Sequence, residues 1–345
     1  MKMNKFLFLG AISASLFFSS CSSDDDNINV EASTNYENGV FVLNEGNFGK
    51  NNSTVSFIDE GYSSITNNIF SNVNNEDMGD TGQSMEFYND YALIVMNASN
   101  ILQIVNKNTF ELVYTVEGDL NNPRHVAAYN GKAYVTNAAD FSLSDDDYVA
   151  IIDLETFEVE NKIIAGTKIE NIEEDNGLIY IQGSSFGDGN SIHVLDPSSN
   201  TISYTYTTNV GLRSFDISNS NLIAISDTQL QVFDINSKEA LSTIDFPEDI
   251  SGTKFLEIED GIVYFVSGKS VYAISENNLE LPDEPLFSMD EVNTLYAFDV
   301  EDDMIWTGDA KDYASAGAVR LYSLSGELMK QFTTEISPNG FYFND

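Results

Sequence analysis

From Gly39 to the C-terminus, short apolar runs rich in Val, Ile, Tyr and Phe alternate with polar turns. No stretch sustains the i, i+3, i+4, i+7 spacing of an amphipathic helix, and residues of these types fit a pleated, half-buried surface. The pattern predicts an all-β domain. Its turns repeat. One type runs seven residues: Asp59–Ile65, Asn106–Leu112, Asp153–Val159, Asp196–Ile202, Asp234–Ala240, Ser275–Leu281 and Ser323–Met329. Their starts lie 38 to 48 residues apart, 44 on average, the period of a four-stranded propeller blade. A second type is tight. Asn130-Gly131, Asn176-Gly177 and Asp260-Gly261 supply the positive φ angles of hairpin turns, and Asn89-Asp90 holds the same place.

Each repeat then reads as strand A, a tight turn, strand B, a longer loop, strand C, the seven-residue turn and strand D. A blade alone leaves both faces wet, and stacking neighbours buries them. The domain starts at a strand B, Gly39–Leu43, and ends with an orphan strand A, Pro338–Phe343. The expected fold is a seven-bladed β-propeller of four-stranded blades, closed by pairing the C-terminal strand with the first blade. That pairing removes edges that would otherwise recruit other chains.

The segment before the repeats follows other rules. Lys2 and Lys5 precede an apolar run from Phe6 to Phe18, too short to span a bilayer, then Ser19, Ser20 and Cys21. Residues 1–20 read as a signal peptide. Phe18-Ser19-Ser20-Cys21 resembles a bacterial lipobox with Phe at its first position, so Cys21 is the expected lipidation site. Residues 21–35 form a flexible acidic tether and 36–345 the propeller. Ser22-Ser23-Asp24-Asp25-Asp26 resembles a surface-export signal of Bacteroidetes-type lipoproteins, which implies an outer-membrane, lipid-anchored protein exposed at the cell surface. An ordinary secretory signal and a solvated linker are the alternatives.

Charge narrows the functions. The chain has 345 residues, 55 Asp plus Glu against 15 Lys plus Arg, and a formal net charge of -40. With 23 Phe and 17 Tyr it is no disordered acidic tail. Nucleic acid is excluded as a partner, because no dense basic stripe exists to release counterions. One Cys and two His offer neither a disulfide framework nor a Cys-rich metal site. No cofactor and no metal ligand set is expected.

Gly39–Phe48, Met78–Ser84, Asn97–Asn100, Pro123-Arg124-His125 and Ala133–Asn137 resemble the YncE-like seven-bladed propeller lipoproteins of Bacteroidetes-type surfaces, a family that includes BtuG-type cobalamin-binding proteins. The resemblance covers residues 39–345. It implies capture of a scarce nutrient, a corrinoid such as vitamin B12 among the candidates, and its transfer to a TonB-dependent outer-membrane transporter.

Functional variation belongs on the face with the long B-to-C loops. These are Glu45–Ser53, Ala138–Asp147, Ser184–Asn190 and Asp309–Gly317, and they carry Phe48, Phe141, Phe186 and Tyr313. Exposed rings on a rigid scaffold suit an amphipathic ligand, though loop packing explains them as well. Arg124, Lys168, Arg213 and Lys254 all fall where a D-to-A loop enters strand A. A ring of cations there would hold an anionic group through charge-assisted hydrogen bonds, unless each pairs with a neighbouring carboxylate. A binding protein is therefore favoured over an enzyme. The alternatives are a metal-assisted hydrolase or lyase using Glu45, Asp80 and Glu170, and a protein-binding scaffold. Gly183–Gly187 matches the G-x-S-x-G nucleophile elbow but leads into a strand instead of the required helix. His125 reads as a structural hydrogen-bond donor.

Overall fold

The computed structural model describes residues 35–344; the signal segment, Cys21 and nearly all of the tether lie outside the described residues. The described chain forms seven four-stranded antiparallel sheets, each a blade, arranged as a seven-bladed β-propeller. Blade 2 shows the plan: strand A is Gly82–Tyr88, B Tyr91–Met96, C Ile101–Asn106 and D Leu112–Val116. The remaining A strands, in blades 3 to 7, are Pro123–Tyr129, Ile172–Asp175, Leu212–Ser218, Thr253–Glu259 and Leu295–Glu301.

Blade 1 closes the ring as the repeat phase requires. Its strand A is the C-terminal Pro338–Asn344, which pairs antiparallel with Gly39–Asn44, setting Phe341 opposite Val42 and Phe343 opposite Val40. Thr54–Asp59 and the two-residue Ile65–Thr66 complete the sheet.

Seven hydrophobic clusters stand between the blades, one at each junction. Blades 2 and 3, for example, meet through Leu93, Ile104, Val126 and Val135, and blades 7 and 1 through Trp306, Leu321, Val40 and Phe341. Burying one such side chain contributes about 1.5–3 kcal/mol, so stability accrues junction by junction and the closing strand supplies the last. Gly308 shows how tight that closure is: an added Cβ would lie 2.6 Å from the Pro338 carbonyl oxygen.

The all-β class stands, with one short exception: Ile69–Asn74 forms a helix flanked by Asn68 and Asn75 in the left-handed region. Six residues are too few to display helical periodicity, and Ile69 and Phe70 are buried as a strand's apolar pair would be. The loop expected over Ser184–Asn190 is instead a hairpin: strand B runs Leu178–Ser185 and strand C resumes at Asp188. Its Ser, Gly and Asp content resembles a loop, but Phe186 and Gly187 with φ of 52° and 82° make a two-residue turn of the primed type. The Glu45–Ser53 and Ala138–Asp147 loops stand as expected, and the blade 7 loop is slightly shorter. Among the described residues no helix is long and apolar enough to cross a membrane.

Candidate functional site

The inner strands build the site by register. In every blade one strand-A residue lies opposite the third residue of strand B: Glu86, Ala127, Glu173, Asp216, Glu257, Asp299 and Tyr342. These form an inner tier of the channel wall. Three residues upstream lies a mouth tier: Gln83, Arg124, Glu170, Arg213, Lys254, Tyr296 and Asn339. Between the tiers strand A is irregular in blades 2, 3, 5, 6 and 7. A bulge re-aims side chains, so the consecutive Arg213 and Ser214 both line the mouth.

The mouth holds a cavity of about 430 Å³ whose walls include His125, Gln182, Phe186, Arg213, Phe255 and Asn339. Its cations are largely engaged. Arg124 donates through Nε to Glu170 at 2.8 Å and through Nη1 to Gln83 at 2.9 Å. Burial pushes the Glu170 carboxyl up, but the hydrogen bond from His125 and the Arg124 charge outweigh it and hold its pKa at about 2. Arg213 forks onto Asp227 at 2.9 and 2.8 Å. Its Nη1 also donates to the Phe186 carbonyl at 3.2 Å. That contact braces the blade 4 hairpin tip, where the exposed Phe186 ring stands 5.7 Å from the Arg124 guanidinium. Gly187 is required beneath it: besides its positive φ, a Cβ would sit 2.3 Å from Arg213 Nη1.

The eight residues expected to bind ligand therefore separate. Arg213 and Phe186 line the mouth cavity, and Arg124 borders it through Glu170 and the Phe186 ring. Lys254 occupies the equivalent position in blade 6, is exposed, and pairs with no carboxylate among the described residues. Lys168 does not belong to the tier. It lies two residues before Glu170, contacts Asp147 at 3.5 Å and stands over Phe141 at 5.9 Å. The equivalent residue in blade 4 is Glu170, so the mouth is a mixed polar ring and not a ring of cations. Phe48 and Phe141 stay on their exposed loops outside the cavity. Tyr313 packs edge-on against Tyr296, 5.3 Å away, whose hydroxyl donates to Glu45.

Sequence reasoning missed the inner tier. Burial and Glu174 push the Glu86 carboxyl up to about 7. Burial takes Asp299 to about 8 and Asp216 to about 6, although backbone amides donate to both. Burial likewise holds Glu173 and Glu257 well above the usual range, with neighbouring carboxylates adding to it. The signal was present: an acid three residues before the A-to-B turn in five of seven repeats. Among the described residues no group of three or more His, Cys, Asp or Glu is placed to hold a metal ion.

Residues 38–254 match the model of a family described as a domain of unknown function, DUF5074. No curated protein matches the chain. Solved propeller-like structures do. A quinoprotein alcohol dehydrogenase-like protein from Bacteroides thetaiotaomicron is 14% identical with a TM-score of 0.66, covering 90% of this chain and 79% of that one. BamB from Moraxella catarrhalis is 17% identical with a TM-score of 0.55, covering 88% and 85%. The computationally designed protein Ika8 is 13% identical with a TM-score of 0.57, covering 88% and 91%. At these identities the likeness is one of fold.

Proposed function

The chain belongs to the DUF5074 family, and from that premise we propose that it is a ligand-capture protein of the cell surface, anchored through lipidated Cys21. It binds an amphipathic nutrient over the propeller mouth and passes it to a TonB-dependent outer-membrane transporter. The resemblance to YncE-like surface lipoproteins supports this reading and makes a corrinoid the ligand class to test first. Lys254, exposed at the matching position of blade 6 outside the cavity lining, offers charge for a phosphodiester, and Phe186 and Phe255 on the cavity wall offer apolar area.

One observation carries the reading. Phe186 occupies a turn position with φ of 52°, where Asn or Gly costs less, and its ring is 75% exposed over the mouth cavity. A non-glycine residue in that region costs on the order of 1 kcal/mol, and an exposed ring recovers little of it by burial. Other aromatic residues of the chain share such a φ, Phe110 among them, but Phe110 is buried and repays the cost by packing, whereas strain left without burial is of the kind that clusters at ligand sites. Calorimetric titration of cyanocobalamin tests this. Saturable binding that weakens at least about tenfold, or about 1.4 kcal/mol, in Phe186→Ala supports the reading, and an unchanged affinity in the variant removes Phe186 from it. Cys21→Ala should leave the protein out of the membrane fraction, and retention there would refute the anchor.

A further inference from the structure

The blade 4 hairpin that carries Phe186 is fixed from two sides. Its outgoing strand is tied to the D-to-A loop of its own blade, where the Gly211 amide donates to the Gly189 carbonyl at 3.0 Å and the Thr208 amide to the Asn190 carbonyl at 2.8 Å. Its turn is held from blade 5. There Arg213 gives Nε and Nη2 to the two oxygens of Asp227, at 2.9 and 2.8 Å. A two-point fork fixes the plane of a guanidinium, and the remaining corner, Nη1, donates to the Phe186 carbonyl at 3.2 Å. The seat is close: a Cβ on Gly187 would also lie 2.5 Å from Arg213 Cζ, so only glycine lets the turn rest on the guanidinium.

Stability does not account for this arrangement. Both Arg213 and Asp227 are partly exposed, and ion pairs so placed contribute little to folding. Nor is Arg213 a free charge, because Asp227 neutralises it. What the pair does set is the position of a ring that nothing buries: Phe186 is exposed over the mouth cavity, so the backbone beneath it decides where it stands. A ring held in place before binding saves the cost of ordering it on binding. We propose that Arg213 is a positioning residue: clamped by Asp227, it holds the blade 4 hairpin so that the Phe186 ring stands over the mouth and meets the apolar face of the ligand. The ligand in this statement rests on the capture reading above; the clamp does not.

Two variants keep the cation and lose the fork, Asp227→Ala and Arg213→Lys. Chymotrypsin, which cuts after accessible aromatic residues, reads the hairpin with no ligand present. Cleavage after Phe186 should rise at least about fivefold in both variants as the open population grows, while cleavage after Phe48 and Phe141, on other exposed loops, keeps its wild-type rate. An unchanged rate at Phe186, or an equal rise at all three, overturns the clamp. Cyanocobalamin titrated calorimetrically into the same variants reads the ligand. Each should bind at least about tenfold more weakly than the wild type, with no further loss once Phe186 is replaced by Ala. A direct-charge role predicts the reverse for Asp227→Ala, which frees the guanidinium. Tighter binding by that variant, or equal weakening in the Phe186→Ala background, overturns the proposal. If the wild type binds no cyanocobalamin, capture of that ligand falls and the cleavage rates alone decide the clamp. Circular dichroism checks that each variant folds.

Discussion

Replacing Glu86 by Gln should make the protein more stable, and only above acid pH. The Glu86 carboxyl is raised from its ordinary 4.5 to about 7 by burial and the neighbouring Glu174 charge. Below pH 4.5 both folded and unfolded chains carry the proton, and nothing is lost. Between 4.5 and 7 the unfolded chain releases a proton that the folded chain keeps, so stability falls as pH rises; above 7 the full cost is present. At about 1.4 kcal/mol per pH unit, the cost is roughly 3 kcal/mol, a large part of the ~5–15 kcal/mol by which domains are stable. Gln has nearly the same shape and no charge. The variant should therefore equal the wild type near pH 4 and exceed it by roughly 3 kcal/mol at pH 8. Urea unfolding followed by the fluorescence of the single, buried Trp306 reads this directly. A stability difference that does not vary with pH would refute the assignment of Glu86 as an uncompensated carboxylate.

Three further substitutions probe other parts of the structure. Glu170, held at about 2 mainly by His125 and Arg124 against the effect of burial, has the opposite sign: its contribution is present above pH 4.5 and is lost as pH falls toward 2. Glu170→Gln should cost about 3 kcal/mol at pH 7 by leaving the buried Arg124 charge without its partner, and much less near pH 2. Phe186→Asn should stabilise the fold by about 1 kcal/mol, because Asn tolerates the left-handed turn position, while weakening any ligand held at the mouth; urea midpoints and calorimetry read the two effects separately. Gly308→Ala should destabilise by about 1–3 kcal/mol through overpacking at the ring closure, and an unchanged urea midpoint would show that Pro338 yields without cost.

The propeller was legible because its evidence is periodic. Seven-residue turns, Asn-Gly hairpins and apolar strands recur often enough to set blade count, strand order and the closure through Pro338–Asn344. Features that occur once were not legible. The helix at Ile69–Asn74 is shorter than two turns, and the strained hairpin at Phe186 has the composition of a loop. The cation ring failed for a different reason. Arg124 and Arg213 do reach the mouth, but spacing along the chain cannot reveal that Glu170 holds the matching position in blade 4 and neutralises Arg124 across the junction. Lys168 lay close enough in sequence to be mistaken for it. The inner carboxylates were written at a constant distance from the A-to-B turns, yet only strand register shows that all five stand at one level of the inner strands.

A crystal structure of the chain soaked or grown with saturating cyanocobalamin tests mouth capture most directly. Ligand density over the mouth is the expected result, in contact with Phe186 and Phe255 and with a phosphate oxygen near Arg213 or Lys254. An empty mouth at saturating ligand, or density on the face of the seven-residue turns or along the outer D strands, would contradict capture there.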